Sequence, residues 1–163
     1  ILFYKIIMVI NRKKALKFLK EANFKANLFS KDPKRKVGAI ILENKTLIQL
    51  SCGYNGLPTG LKETKKRWLK KNKDLYVLHA ETNAIVHAAR SNVNIKDSIL
   101  VCNRFPCNNC TLNLIQAGIK TIVTIQPDWN TLSIKNKRSF LASKEMLEEL
   151  KIKIIYFKEK DII

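Results

Sequence analysis

Apolar and polar positions along the chain follow two periods, and the switches between them mark its elements. Asn11 has the chemistry of a helix N-cap, and residues 12–30 follow as a helix. In it Ala15, Phe18, Leu19, Ala22, Phe24 and Ala26 fall mostly on one face, with lysines on the other. This suits a first helix packed on a sheet better than one lying on a membrane surface. Asp32-Pro33 ends it, because the residue before a proline is pushed out of the helical region. Residues 37–42 are a short, bounded apolar run and read as a buried strand. Residues 43–46 form a turn and residues 47–54 a second strand. Gly53-Tyr54-Asn55-Gly56 and Leu57-Pro58-Thr59-Gly60 then demand a tight, specific backbone path. Residues 79–89 read as a helix with a thin face of Ala80, Ala84 and Ala88. A third strand lies at 99–102. A helix over 107–118 follows, with Leu112, Leu114, Ile115 and Ala117 turned to the sheet and Gly118 closing it. Residues 121–125 form a fourth strand, 127–137 a connection, 139–150 a helix and 152–157 a fifth strand.

This order predicts an α/β protein, a three-layer α/β/α sandwich with a mixed five-stranded sheet. A chain of 163 residues, 46% apolar, fits one domain, which we assign to residues 11–163. The opening ILFYKIIMVI, residues 1–10, is set apart as an N-terminal tail, with Met8 read as the natural start. Its ten residues are too few to span a bilayer, which needs about 20. No small-residue cleavage site follows, which argues against a signal peptide. Four cysteines do not make a disulfide scaffold. Cys52 and Cys102 sit in apolar, strand-like runs and read as buried free thiols, so a reducing cytoplasm is expected.

The formal charge of +18 leaves three readings open. It suits a nucleic-acid surface or a pocket for phosphorylated substrates. It also suits a composition rich in Lys, Ile and Asn, as in proteins of AT-rich genomes, because the lysines are scattered without heptad or repeat. The densest cluster, residues 62–73, holds seven basic residues, one acidic residue and the single aromatic Trp68. It is either a solvated loop or short helix, or a basic lip over the site built by the next stretch.

That site rests on His79-Ala80-Glu81 and, 28 residues on, Pro106-Cys107-Asn108-Asn109-Cys110. One histidine and two cysteines three residues apart are three good zinc ligands, and a structural zinc normally takes four. The fourth position is left for water, whose pKa falls to about 7 on zinc. Both stretches begin predicted helices, whose N-termini favour thiolates. Glu81, two residues past His79, sits beside the metal and is placed to move protons. H-x-E…P-C-x-x-C is the known signature of zinc-dependent base deamination. A structural zinc module would need another protein ligand, and neither Cys52 nor Cys102 has the spacing for it. His87, two turns on, reads as a surface or packed histidine.

With these residues in hand, the chain resembles the cytidine/deoxycytidylate deaminase superfamily, and its deoxycytidylate branch in particular. The resemblance runs from about Lys31 to Phe157, through KDPKRKVGAIIL, GYNGLPTG, YVLHAETNAI and FPCNNCTLNLIQAGIKTIV. It implies a cytidine-deaminase-like fold and hydrolysis of dCMP to dUMP and ammonia, which supplies dUMP for thymidylate synthesis. His79, Cys107 and Cys110 would hold one Zn²⁺ per chain, and Glu81 would shuttle protons. Asn55 would bond a sugar hydroxyl and the Ala80 N–H the base carbonyl. Val37, Gly38 and Ala39 would line the base pocket, with Pro106 also at the substrate. Lys34 and Arg35 are candidates for the phosphate. A homo-oligomer and dCTP or dTTP as effectors are further implications, with a free nucleotide rather than nucleic acid as partner and no membrane. The chain departs from the family in two places. Leu61-Lys62-Glu63 stands where many members carry ligands for a second zinc, so no second zinc is expected. Asn103-Arg104 precedes Phe105 where small or aliphatic residues are common; Arg104 either touches phosphate or lies on the surface, and the surface is the expectation. The competing functions are a deaminase acting on cytosine or adenine in single-stranded DNA or RNA, and a non-catalytic zinc-binding module. The charge and Trp68 favour the first, a low aromatic content of 8% opposes it, and an intact Glu81 opposes the second.

Overall fold

A computed structural model describes residues 10–163. The expected tail with its Met8 start lies outside the described residues, apart from Ile10. That residue is fully buried and belongs to the core. Strands β1 (Gly38–Leu42) and β3 (Ile99–Cys102) are buried at every position. They occupy the middle of the sheet, where both faces are covered. The strand order is β2-β1-β3-β4-β5, with β2 (Gln49–Tyr54), β4 (Thr121–Ile125) and β5 (Lys153–Phe157). β1 pairs antiparallel with β2 and β3, and β3, β4 and β5 run parallel. The mixed five-stranded sheet is as the sequence predicts.

Successive side chains of a strand point to opposite faces, and the central strands use both. Ile40, Leu42, Ile99 and Val101 pack with Ala15, Leu19 and Ala22 of helix α1 (Arg12–Phe29). Ala39, Ile41, Leu100 and Cys102 pack on the other side, with Ala80, Ala84 and Ala88 of α4 (Ala80–Arg90), Leu114 of α5 (Asn108–Gln116), and Phe140 and Leu147 of α6 (Ile134–Glu149). This is the three-layer sandwich. Segment 62–73 falls in two short helices, α2 (Lys65–Trp68) and α3 (Lys70–Tyr76), which bury no residue.

Several expectations need correction. The second strand begins at Gln49 rather than at residue 47. Leu47 turns inward with φ 60°, and the Glu43 carboxylate holds the turn by accepting from Lys45 N at 2.9 Å and Thr46 Oγ1 at 2.8 Å. The last long helix starts at Ile134, not at residue 139, because Ser133 caps it. Its first turn is exposed and carries no apolar stripe, with Ile134 89% exposed. Phe24 and Leu112, expected on buried faces, are exposed. In α1 and α5 the small or central positions Ala22, Ala26 and Leu114 do the burying.

Both helical layers approach the sheet closely because glycine faces them. A β-carbon on Gly38 would lie 2.2 Å from the Ala22 carbonyl of α1, and one on Gly53 would lie 2.5 Å from the Ala80 carbonyl and the Ala84 nitrogen of α4. These neighbours are helical backbone and cannot move aside alone. Gly53→Ala should therefore destabilise the protein by at least about 1–3 kcal/mol through overpacking, read from urea unfolding midpoints. An unchanged midpoint would show that α4 yields freely.

Candidate active site

Helix α4 starts from His79 and α5 from Cys107; each is an N-cap in extended backbone. The Cys107 carbonyl accepts from Thr111 N at 2.8 Å, closing the first turn of α5 and bringing Cys110 round beside Cys107. The two helix ends meet. His79 Nδ1 lies 3.4 Å from Cys107 Sγ and 3.4 Å from Cys110 Sγ. One donor atom from each residue can be chosen so that all lie within 4.8 Å of one another. Zinc bonds of about 2.0–2.3 Å span such separations, and an imidazole with two thiols is a zinc donor set. Among the described residues no other cluster of His, Cys, Asp and Glu has this geometry. The structure thus brings together the three residues that the sequence singled out.

The electrostatics suit a cation. The Cys107 thiol is pulled down to about 4, first by its hydrogen bond with Cys110, against burial and with help from His79. Cys110 is pushed up by that same bond and by burial. The two thiols thus share one proton, and a divalent ion between them favours its loss. The bond to Cys107 raises His79, against burial. Thr82 Oγ1 lies 3.7 Å from Cys110 Sγ and steadies it.

Glu81, in the first turn of α4, is 3% exposed. Burial raises its carboxyl, while the charge of His79 works in the other direction. Glu81, His79, Ala80 and Cys107 line one cavity of about 990 Å³. Val37, Asn55, Arg35 and Phe105 line it too. Gly38, Ala39 and Pro106 do not. Gly38 is turned to α1, Ala39 is fully buried in the core beneath α4, and the Pro106 carbonyl accepts from Ser143 Oγ at 2.8 Å. Lys34 is exposed and stands outside the cavity, with only its backbone N–H held, by Asp32 Oδ1 at 2.9 Å.

Asn55 is a keystone of the wall. Its Oδ1 accepts from Ser30 Oγ at 2.7 Å and Val37 N at 2.8 Å, and its Nδ2 donates to Asp32 Oδ2 at 3.1 Å and the Arg35 carbonyl at 2.9 Å. These bonds use all four positions of the amide. Asp32, 1% exposed, also pairs with Lys73 of α3. Burial opposes its charge, yet Lys73 and the backbone N–H groups of Lys34 and Arg35 hold its carboxyl below the ordinary value. Sequence reading used Asp32 only as a helix stop and missed this role.

It also missed Ser139 and Ser143, whose spacing of four on one helix was the available signal. Ser139 Oγ donates to Asn108 Oδ1 at 2.8 Å and accepts from Asn108 N at 3.1 Å. Ser143 joins Thr111 to the Pro106 carbonyl. Helix α6 thereby fixes the cysteine loop. Of the seven basic residues in 62–73 only Lys73 reaches the cavity. Trp68 stays away, donating to Glu63 Oε1 at 3.1 Å. His87 faces the Cys52 carbonyl at 2.8 Å, as a packed histidine would. Cys102 is buried and Cys52 half-buried, and all four thiols are free. No helix among the described residues is long and apolar enough to cross a membrane.

The chain is similar to known proteins through this same region. The family described as cytidine and deoxycytidylate deaminase zinc-binding region matches residues 12–126. The probable deoxycytidylate deaminase of Caenorhabditis elegans is 35% identical over 144 residues, 86% of this chain and 68% of that protein. The human deoxycytidylate deaminase is 37% identical over 100 residues, 58% of this chain and 54% of that one. The chain thus spans between about half and two thirds of these relatives' length. The dCMP deaminase of cyanophage S-TIM5, solved with dCMP and dUMP, superposes with a TM-score of 0.71 at 26% identity, over 91% of this chain and 99% of that one. A match over more than two thirds of the chain, spanning both helix ends that carry the donors, shows that it belongs to the cytidine and deoxycytidylate deaminase family.

Proposed function

We propose that this chain is a zinc-dependent hydrolase that converts dCMP to dUMP, with His79, Cys107 and Cys110 as ligands of one zinc and Glu81 as the proton carrier. The observation that carries this reading is the buried Glu81 carboxyl beside a His–Cys–Cys donor set on the wall of a nucleotide-sized cavity. Hydrolysis joins water to C4 of cytosine and releases the amino group as ammonia, leaving a carbonyl. A zinc held by these three ligands would supply the Lewis acid that activates the water. Glu81 would take one proton from the water and pass it to ring N3, then take the second from the new C4 hydroxyl and pass it to the departing amine, so that the carbonyl forms as ammonia leaves. Burial suits it to hold a proton between these transfers. The Ala80 N–H, free at the first turn of α4, is assigned to the base carbonyl.

Asn55 is assigned to the sugar side. Its amide is fully engaged within the wall, so a bond to a sugar hydroxyl would have to share one of those contacts. Arg35 lines the cavity and keeps its assignment to the phosphate. Lys34, exposed outside the cavity, is a weaker candidate. The reading includes a homo-oligomer, for which the edge strand β2 and the exposed Phe24, Leu28 and Phe29 of α1 offer apolar surface. Regulation by dCTP and dTTP and a cytoplasmic location enter through kinship and the free thiols. A base within single-stranded DNA or RNA is the second reading; against it, Trp68 is turned to Glu63 rather than to the cavity.

Three measurements test this. Offered dCMP, deoxycytidine and a cytosine-containing oligonucleotide, the protein should turn over dCMP fastest, followed by the absorbance of the lost amino group; preference for the oligonucleotide would overturn the substrate. Glu81→Gln should lower turnover by roughly 10²–10⁴-fold or more while retaining zinc. Metal analysis should return one zinc per chain, and Cys110→Ala should lose it; two zincs per chain would refute the single site.

A further inference from the structure

The wall of the cavity carries more cations than anions. Lys73 is paired with Asp32, and Lys135 with Asp74 at 3.0 Å. Arg35, Arg104 and Arg138 line the same cavity. Among the described residues none of these three guanidiniums has a hydrogen bond or ion pair with a protein group. The one carboxylate left on the wall is Glu81. Arg35 and Arg138 are exposed and keep their water; Arg104 alone is partly withdrawn from it. Charges withheld from water are normally paired, so an unpaired, half-buried guanidinium on the cavity wall is placed for a ligand of opposite sign.

Arg104 is the held member of the set. Its expected place on the surface is not where the structure puts it: it is half-buried, between β3 and the cysteine loop. Asn103, just before it, is pinned, with Oδ1 accepting from Gly38 N at 3.0 Å and Nδ2 donating to Asn23 Oδ1 at 2.9 Å. The Arg104 guanidinium then lies 5.4 Å from the centre of the Phe140 ring, and Phe140 meets Phe105 edge-on at 5.3 Å. The arginine is thus propped on an aromatic pair that belongs to the cysteine loop and to α6. Burial, and the charge of nearby Arg35, both work against its own charge. A guanidinium stays protonated regardless and offers a planar fork to phosphate. Arg138 is exposed on α6 and contributes only at longer range.

We propose that Arg104, with Arg35 beside it, reads the 5′-phosphate of the substrate and makes the site select a nucleoside monophosphate over the nucleoside. This rests on the deaminase reading for its ligand but not for its test. The non-reacting pair dUMP and deoxyuridine can be titrated calorimetrically into the zinc-loaded protein. Wild type should bind dUMP more tightly. Arg104→Met, which keeps an aliphatic arm over Phe140, should shrink the dUMP-to-deoxyuridine affinity ratio by roughly 10- to 100-fold, the loss of a charged hydrogen bond. Arg104→Lys should restore part of it. The ratio of kcat/KM for dCMP over deoxycytidine should fall in parallel, through KM. Equal weakening of both ligands, or no change in the ratio, would overturn the proposal and leave Arg104 as packing for Phe140. A wild type that prefers dUMP, loses that preference on Arg104→Met, yet deaminates neither nucleotide nor nucleoside would sink the proposed reaction and sustain the phosphate site. Deamination with no preference for the phosphorylated form would do the reverse.

Discussion

Helix α4 lies so close to β2 that a β-carbon on Gly53 would stand 2.5 Å from the Ala80 carbonyl. That approach sets where the N-terminus of α4 falls, and with it His79, the Ala80 N–H and Glu81. The contact has almost no side chain in it: glycine on the strand and alanines at every fourth position of the helix. Larger residues would lift the helix end off the sheet and separate His79 from the two cysteines. The position of His79 and Glu81 thus follows from the backbone packing of α4 on the sheet.

The second support is polar. Asn55 spends its whole amide on tying the segment around Ser30, Asp32 and Arg35 to Val37. Asp32 then anchors Lys73 and with it helix α3. Asn55 and Asp32 are both buried, and their bonds tie down the loop that follows α1, where Arg35 lines the cavity. Across from it, α6 braces the cysteine loop through Ser139, Ser143 and Phe140. The site is therefore held by two walls that each end in an unpaired guanidinium, and the charge of the cavity follows from which of its acids are already neutralised.

Much of this was legible beforehand. Apolar runs located all five strands, and the alanine periodicity of α4 anticipated its close packing. The metal donors were legible because their chemistry is local: a cysteine pair at a spacing of three on a helix start meets one ion whatever the rest of the fold does. Helix boundaries were less so where the first turn is exposed. Ser133 caps α6 seven residues before Phe140, its first buried apolar side chain, so periodicity had nothing to register. Phe24 and Leu112 misled for the opposite reason, being apolar side chains that the layers leave outside.

By itself the sequence determined the fold class, the zinc donors and the carboxylate beside them. These depend on hydrophobic period and on residue types a few positions apart. Only the tertiary structure decided the charge of the pocket. Among 31 basic and 13 acidic side chains spread over the chain, which ones face one another depends on contacts such as Lys73 to Asp32 and Lys135 to Asp74, 41 and 61 residues apart. Pairing at that range is set by how helices and strands stack, and it is what leaves Arg104 unpaired on the wall of the cavity.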